Sequence, residues 1–200
     1  LQVAAWVHSC MVTGSMNAYL AWWIYAYGGS NEGIYGTDTM TTTKKLFALG
    51  NFSKFIRPGY YRMGGTIASG SAGVSVSAYK DGAGAPNRWV IVAINSNGST
   101  VNQTFSFSNF TSTSCTPWVT DGTRSLAHQG QISISGNSFT YSLPAQSVVS
   151  FVGYAAPLGT LTPTPTRTPY AGTPTSTVTP SPTPATQLYD DFEDGDTNNN

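Results

Sequence analysis

The sequence predicts an α/β segment, the remnant of a barrel, followed by an antiparallel β-sandwich and a disordered linker. Three observations support this order. A helical pattern, an apolar strand, a glycine-rich loop and a second helical pattern come first, which is the rhythm of a (β/α) barrel. Short strands separated by turn residues come next and indicate a sandwich. A threonine- and proline-rich stretch follows, with too few apolar residues to form a core.

These changes in composition divide the chain into four parts. We assign residues 1–57 to the end of a barrel and residues 58–154 to the sandwich. Residues 155–186 form the linker, whose prolines favour an extended chain. Residues 187–200 hold five of the nine acidic residues, interleaved with aromatic ones. We expect them to begin an accessory module that is truncated before it can fold.

The first predicted elements are a helix and a buried strand. Val3, Val7 and Met11 recur at helical spacing, and Gly14 ends the pattern. Residues 17–25, NAYLAWWIY, are almost continuously apolar and too few for another helix. A strand that is apolar on both faces is typical of a buried parallel sheet.

Alternation along this strand separates its large side chains into two sets. Leu20, Trp22 and Ile24 form one set, and we expect Trp22 to be a core residue. Trp23 and Tyr25 belong to the other set, which carries an indole and the hydroxyl groups. We therefore assign the second set to the inward face of the barrel.

A glycine-rich loop leads to the second predicted helix. Thr41 or Thr42 is the expected cap, because a threonine hydroxyl accepts hydrogen bonds from the free N–H groups of a helix start. The helix should end before Pro58. Its predicted stripe of core-facing residues consists of Leu46, Leu49, Ser53 and Ile56.

Seven short strands are predicted after Pro58, between turn signals such as Asp81-Gly82. They cover residues 60–63, 74–79, 89–95, 104–108, 131–135, 139–143 and 147–152. We expect Trp89 and Trp118 to fill the sandwich core rather than to form a sugar-binding platform. Because a domain of this size is marginally stable alone, we expect it to dock on the barrel segment.

Composition argues against several classes of function. Charged residues make up 9% of the chain, and nine basic residues balance nine acidic ones. This balance gives no electrostatic footprint for nucleic acid or for an anionic membrane, and no apolar run is long enough to span a bilayer. Cys10 and Cys115 are predicted to be free thiols, while His8 and His128 are isolated. We expect no metal site and no cofactor.

Leu1 begins the sequence inside a helical pattern, without an initiator methionine. We therefore expect an internal fragment whose signal peptide lies upstream. The Gly-, Ser-, Thr- and Asn-rich composition indicates a secreted, extracellular protein.

Several motifs resemble glycoside hydrolase family 30, and in particular its bacterial xylanases. The residues that carry the resemblance are 17–23 (NAYLAWW), 50–60 (GNFSKFIRPGY), 76–80 (VSAYK), 90–95 (VIVAIN) and 143–148 (LPAQSV). They agree in order and spacing over residues 1–153, and the SKFIRPG segment is the most specific of them.

The resemblance implies a (β/α)8 barrel with a side β-sandwich. It also implies cleavage of β-linked xylan with retention of configuration, by two glutamates on the fourth and seventh barrel strands. Residues 1–14 then correspond to the seventh helix, 17–25 to the eighth strand and 41–56 to the eighth helix. We expect a monomer whose partner is a polysaccharide, and we expect the accessory module that begins at residues 187–200 to bind carbohydrate.

Both catalytic acids are expected upstream of this chain. Before the linker the sequence has only four acidic residues, Glu32, Asp38, Asp81 and Asp121. No two of them fall on barrel strands. We therefore predict no catalytic residue here and no activity of this chain alone.

One departure from the family concerns the acidic side groups of xylan. The glucuronic-acid-dependent xylanases carry an arginine in the loop after the eighth strand. Here no basic residue occurs between Trp23 and Lys44. Because a substrate carboxylate then lacks a bidentate partner, we predict a parent enzyme that does not depend on glucuronic acid groups.

The predicted substrate-binding residues are Trp23, Tyr25 and Tyr27. An indole at the carboxyl end of a barrel strand offers an apolar face to the C–H groups of a sugar ring. Tyr25 shares the face of Trp23, and Tyr27 lies in the following loop. Core packing of Trp23 and a solvated position for Tyr27 are the alternatives.

Two other functions stay open. A non-catalytic carbohydrate-binding or cell-surface protein would use the sandwich itself as its binding element. A family member that acts on another β-linked glycan would keep the same scaffold. Two glutamate-bearing strands upstream of Leu1 would favour the enzyme over the binding protein.

Overall fold

A computed structural model describes residues 1–27, 33–36, 40–64, 72–82, 87–108 and 110–156. The chain divides into two units, Leu1–Thr160 and Leu161–Asn200. All of the second unit lies outside the described residues, as do most of the predicted linker and the acidic segment. The assignment of those parts stays a prediction.

Within the described residues, two helices and three sheets make up the first unit. The helices are α1 (Gln2–Val12) and α2 (Lys44–Ser53). The small sheet consists of β1 (Trp23–Ala26), β2 (Gly33–Gly36) and β3 (Thr41–Thr42). β1 and β2 pair in parallel, and β2 and β3 are antiparallel.

The large sheet is antiparallel and has seven strands. Its spatial order is β10 (Ile132–Ser133), β8 (Ser114–Thr120), β12 (Ser147–Tyr154), β6 (Arg88–Asn95), β5 (Val74–Asp81) and β4 (Tyr60–Met63), with β9 (Ala127–His128) also paired to β8. A separate pair, β7 (Val101–Ser106) and β11 (Ser138–Leu143), forms the third sheet.

The large sheet is the middle layer of three, as the central strand β6 makes clear. Trp89, Ile91 and Ala93 pack with apolar residues of β7 and β11 on one face. Val90, Val92 and Ile94 alternate with them and pack with residues of α1 and α2 on the other face. Because both faces are covered, β6 reads as a continuous apolar run rather than as an alternating one.

All seven strands predicted after Pro58 are confirmed, with ends that differ by up to three residues. The predicted first helix is confirmed as α1. Ala155 and Ala156, at the start of the predicted linker, still donate backbone hydrogen bonds to Asn87 and Thr111. The sandwich contacts therefore continue two residues past Tyr154.

The prediction for the start of α2 is wrong by one or two residues. Thr43 is the N-cap, whereas Thr41 and Thr42 form β3 and pair with β2. The helix buries Ala48 and Phe52 as well as the polar Asn51. Of the predicted stripe, Leu49 and Ile56 pack against the core that α1 shares with α2, while Ser53 is exposed.

The predicted buried strand over residues 17–25 is also wrong in length and in burial. Only Trp23–Ala26 forms a strand. Trp22, expected in the core, is 85% exposed, and Leu20 is 92% exposed. The physical reason is that Leu20, Trp22 and Ile24 belong to neither core cluster of the described residues, and a strand in a parallel sheet is buried only when both of its faces are covered.

Strand β8 was not predicted, because Pro117 lies at its centre and proline disfavours a central strand. The carbonyl of Pro117 accepts a hydrogen bond from the N–H of Gln129. Pro117 therefore lies opposite Gln129, in the interval between β9 and β10. Cys115 is a buried residue of this strand.

Both cysteines are free, and burial raises the pKa of the Cys115 thiol to about 12. None of the helices that the structure describes is long and apolar enough to cross a bilayer. The described residues also contain no cluster of three or more metal-ligating side chains.

Candidate functional site

The three predicted substrate-binding residues lie on or just after β1 and are open to solvent. Trp23 is 44% exposed, Tyr25 is 64% exposed and Tyr27 is 78% exposed. Trp23 and Tyr25 are two residues apart on the strand, so their side chains lie on the same side. The structure thus brings two of the three predicted residues together on one surface, with Tyr27 next to them in sequence.

Tyr35 is an aromatic neighbour that the sequence did not single out. Its ring meets the ring of Tyr25 edge to face, with centroids 5.7 Å apart and an interplanar angle of 82°. The two tyrosines are also partners in the register of β1 and β2. The pattern Gly33-Ile-Tyr-Gly36, a short apolar pair between glycines, was the only signal for a strand here.

The two strands approach each other closely at Gly33, which is the register partner of Trp23. A Cβ atom at Gly33 would lie 2.7 Å from the backbone nitrogen of Ala26 and 2.8 Å from its Cβ. Such distances are well inside van der Waals contact. The position therefore requires glycine, because any side chain would push β2 away from β1.

Thr43 connects this strand pair to helix α2. Its hydroxyl donates to the carbonyl of Gly33 over 3.1 Å, and its N–H donates to the carbonyl of Ile34 over 2.9 Å. Thr43 has the extended backbone of an N-cap residue, with φ −85° and ψ 160°, but its side chain makes no capping hydrogen bond to the helix.

At its other end α2 is fixed to the large sheet by a buried polar network. The Asn51 side-chain amide donates to the Thr120 hydroxyl over 2.6 Å and to the Phe47 carbonyl over 2.9 Å. The Ser150 hydroxyl contacts the backbone oxygen of Asn51 at 2.7 Å and its Oδ1 at 2.8 Å. Since these groups satisfy one another, the polar atoms tolerate full burial.

The acidic groups that the structure describes before the linker, Asp81 and Asp121, lie in the sandwich rather than near β1. Burial alone would raise the pKa of Asp121. Hydrogen bonds from Arg124 and Thr123, together with the Arg124 charge, outweigh burial and lower that pKa to about 2. The Asp121 carboxylate is therefore held in its own turn by these hydrogen bonds and by its ion pair with Arg124. Glu32 and Asp38 lie outside the described residues.

The two sandwich tryptophans differ in burial. Trp89 is fully buried, as predicted, and its indole N–H donates to the Ser112 hydroxyl over 3.2 Å. Trp118 is partly buried and packs against the helix-side core. The Lys54 ammonium lies 3.9 Å from the centroid of its ring, and His128 meets it edge to face.

A cleft of about 730 Å³ lies elsewhere, where the ends of α1 and α2 meet β4. Tyrosine and arginine side chains contribute to its lining, which includes Tyr19, Arg57, Tyr60, Tyr61 and Arg62. None of the three predicted substrate-binding residues lines it. Arg57 also donates to the Ser53 carbonyl and so caps the last turn of α2.

An aromatic strand with exposed ring faces and hydroxyl groups is suited to bind sugars by contact. Ring faces pack on the C–H groups of a pyranose, and tyrosine hydroxyls both donate and accept hydrogen bonds. The site has no described carboxylate and no described metal-ligand cluster. The arrangement of the described side chains supports the positioning of a ligand.

Comparison with known proteins gives consistent results, although no family model matches the chain. The glucuronoxylanase XynC of Bacillus subtilis strain 168 is 39% identical over 153 residues, which are 76% of this chain and 34% of that protein. The chain thus spans about a third of the length of this curated relative.

Two solved structures are similar over the same share of the chain. The family 30 subfamily 8 xylanase Xyn30A from Clostridium acetobutylicum is 42% identical with a TM-score of 0.69, over 77% of this chain and 38% of that one. A family 30 endoxylanase from Clostridium papyrosolvens C71 is 39% identical with a TM-score of 0.64, over 77% and 37%.

Proposed function

Because the chain belongs to glycoside hydrolase family 30, we propose that it is the carboxy-terminal part of a secreted, retaining endo-β-1,4-xylanase. The observation that carries this proposal is sequence identity of 39–42% to xylanases over three quarters of the chain. The length that the chain does not span is large enough to hold most of a barrel. In this proposal, residues 1–57 supply the last barrel strand and its flanking helices.

The aromatic strand β1 is the proposed contribution of this chain to substrate binding. Trp23 and Tyr25 would stack on xylose units, and Tyr27 would extend the contact beyond the strand. The remaining barrel would cover the opposite side of the strand, where Trp22 and Ile24 are 85% and 61% exposed. Exposed apolar surface of this extent is typical of an interaction surface.

Bond cleavage is assigned to residues outside this chain. A retaining glycosidase needs two carboxyl groups about 5–5.5 Å apart, one as acid and one as nucleophile. Of the carboxylates that the structure describes before the linker, Asp121 is paired with Arg124, and Asp81 lies on β5. Neither is next to β1, so the chain alone is proposed to be inactive.

We further propose that the parent enzyme does not depend on glucuronic acid groups. Between Trp23 and Lys44 the sequence has no lysine, arginine or histidine. The Lys44 ammonium is engaged by the Arg124 carbonyl at 2.8 Å and the Ser125 hydroxyl at 2.9 Å. A carboxylate bound near β1 would therefore receive no pair of hydrogen bonds from an arginine of this segment.

The test compares the 200-residue chain with the longer parent protein on xylan with and without glucuronic acid side groups. We expect no release of reducing sugar by the chain, and similar rates of the parent on both substrates. Hydrolysis by the chain alone would contradict the assignment of both acids to the missing part. Strict dependence of the parent on the acidic groups would contradict the second proposal, and activity only on another β-linked glycan would contradict the substrate.

A further inference from the structure

We propose that Thr43 is a positioning residue, whose hydroxyl sets the aromatic strand β1 relative to the β-sandwich. The inference rests on the proposed function only in its last step, that β1 contacts sugar. The structural part depends on three sets of contacts around one side chain.

The first set of contacts is made by the Thr43 hydroxyl itself. A threonine at a helix N-cap ordinarily accepts a hydrogen bond from an N–H group of the first turn. Here the side chain makes no such bond and donates to the Gly33 carbonyl instead, over 3.1 Å. The Thr43 hydroxyl is thus bonded to β2 and not to the helix that Thr43 precedes.

The second set of contacts links β2, to which Thr43 is hydrogen-bonded, to the aromatic strand β1. Gly33 is the register partner of Trp23, and Tyr35 is that of Tyr25. Because Gly33 has no side chain, β2 lies close against β1 at this point. A shift of Gly33 therefore moves the backbone that carries Trp23, and the Tyr25–Tyr35 ring contact with it.

The third set holds the helix itself. Lys44, next to Thr43, donates to the carbonyl of Arg124 and the hydroxyl of Ser125 in the sandwich. Near the other end of the helix, Asn51 and Ser150 form the buried network with the large sheet. Since α2 is fixed to the sandwich near both of its ends, Thr43 gives β2 a rigid point of attachment.

The test is hydrogen–deuterium exchange, read by mass spectrometry, on the purified 200-residue chain and its variants. Thr43→Val keeps the shape of the side chain and removes the hydroxyl. We expect backbone amides of residues 22–27 and 33–36 to exchange about fivefold faster, as the loss of one hydrogen bond predicts. Amides of β6 and β12 should keep their rates.

Two further variants separate positioning from a general effect on folding. Thr43→Ser retains the hydroxyl and should restore slow exchange in both segments. Thr42→Val removes a neighbouring exposed hydroxyl and should leave exchange unchanged. Unchanged exchange in Thr43→Val would overturn the inference. Equally faster exchange across the sandwich strands would overturn it too, because it would indicate only a loss of global stability.

The exchange measurement uses no xylan, so its result does not depend on the proposed function. The sugar step is tested in the longer parent protein. There, Thr43→Val should raise KM for xylan severalfold with little change in kcat, and Thr43→Ser should restore KM. If exchange changes but KM does not, the strand is positioned as inferred and its contact with sugar is refuted.

Discussion

Asn51 shows how one polar side chain joins two layers of this molecule. It lies on α2 with no exposed surface, and its amide donates to Thr120 on β8 while Ser150 on β12 donates to its oxygen. A buried amide costs free energy unless its donors and acceptor are paired. From this buried position on the helix, Asn51 therefore ties α2 to two strands with defined geometry.

Asp121 is the residue whose charge should affect stability most directly. Its pKa lies at about 2 in the folded chain, below its ordinary value of 3.8. A lowered carboxyl pKa stabilises the fold above about pH 4, and this contribution is lost as pH falls from 4 towards 2. We expect Asp121→Asn to flatten the dependence of the free energy of unfolding on pH in that range.

Urea denaturation between pH 2 and pH 7 measures this effect. Arg124→Gln is the matched variant, because it removes the partner and keeps the carboxylate. It should weaken the same pH dependence without abolishing it, since Thr123 still donates to Asp121. Parallel pH curves for the original chain and Asp121→Asn would contradict this account.

At the scale of elements, the sequence predicted those strands in which turn residues and apolar runs agree. β6 and β12 are of this kind. β8 was not predicted because of Pro117, which lies opposite the interval between β9 and β10. That placement depends on the later strands and not on the local sequence. The aromatic residues of β1 were recognised, but their partner Tyr35 was not, because its strand is four residues long and lies between glycines.

The pairing of β6 and β12 depends on Gly153, the register partner of Trp89. A Cβ atom at Gly153 would lie 2.6 Å from Cε2 of the Trp89 indole and 2.9 Å from the Ser114 carbonyl oxygen. We expect Gly153→Ala to destabilise the chain by about 1–3 kcal/mol through overpacking. Denaturant unfolding measures the loss.

Gly98→Ala is the control for that variant, because nothing lies within 4 Å of a Cβ atom there. Its effect should stay within about 0.5 kcal/mol, as for other exposed sites. Equal losses in the two variants would show that general backbone freedom, and not the Trp89 contact, explains the requirement for glycine.

At the scale of the whole chain, a well-packed sandwich carries an aromatic segment that the other described residues leave largely uncovered. Leu20, Trp22, Ile24 and Tyr25 are each more than 60% exposed, while β6 and β12 are almost wholly buried. The sequence predicted a buried strand because a continuous apolar run is typical of one. Burial depends on neighbouring segments, which a local pattern does not supply.

Tryptophan fluorescence tests this uneven burial. We expect iodide to quench part of the emission, and the quenchable fraction to fall most in Trp22→Phe, which removes an indole that is 85% exposed. Trp23→Phe should have a smaller effect, because Trp23 is 44% exposed. Equal quenching of the original chain and Trp22→Phe would show that residue 22 is covered.

The alternation along β6 has a consequence for how the chain avoids misfolding. In a strand with one polar face, a slip by one residue is penalised because polar groups enter the core. β6 is apolar on both sides, so hydrophobicity alone would tolerate such a slip. The Trp89–Gly153 pair disfavours the slip by steric overlap, because the indole fits only opposite a residue without a side chain. Shape complementarity, rather than polarity, thus selects one register from its neighbours.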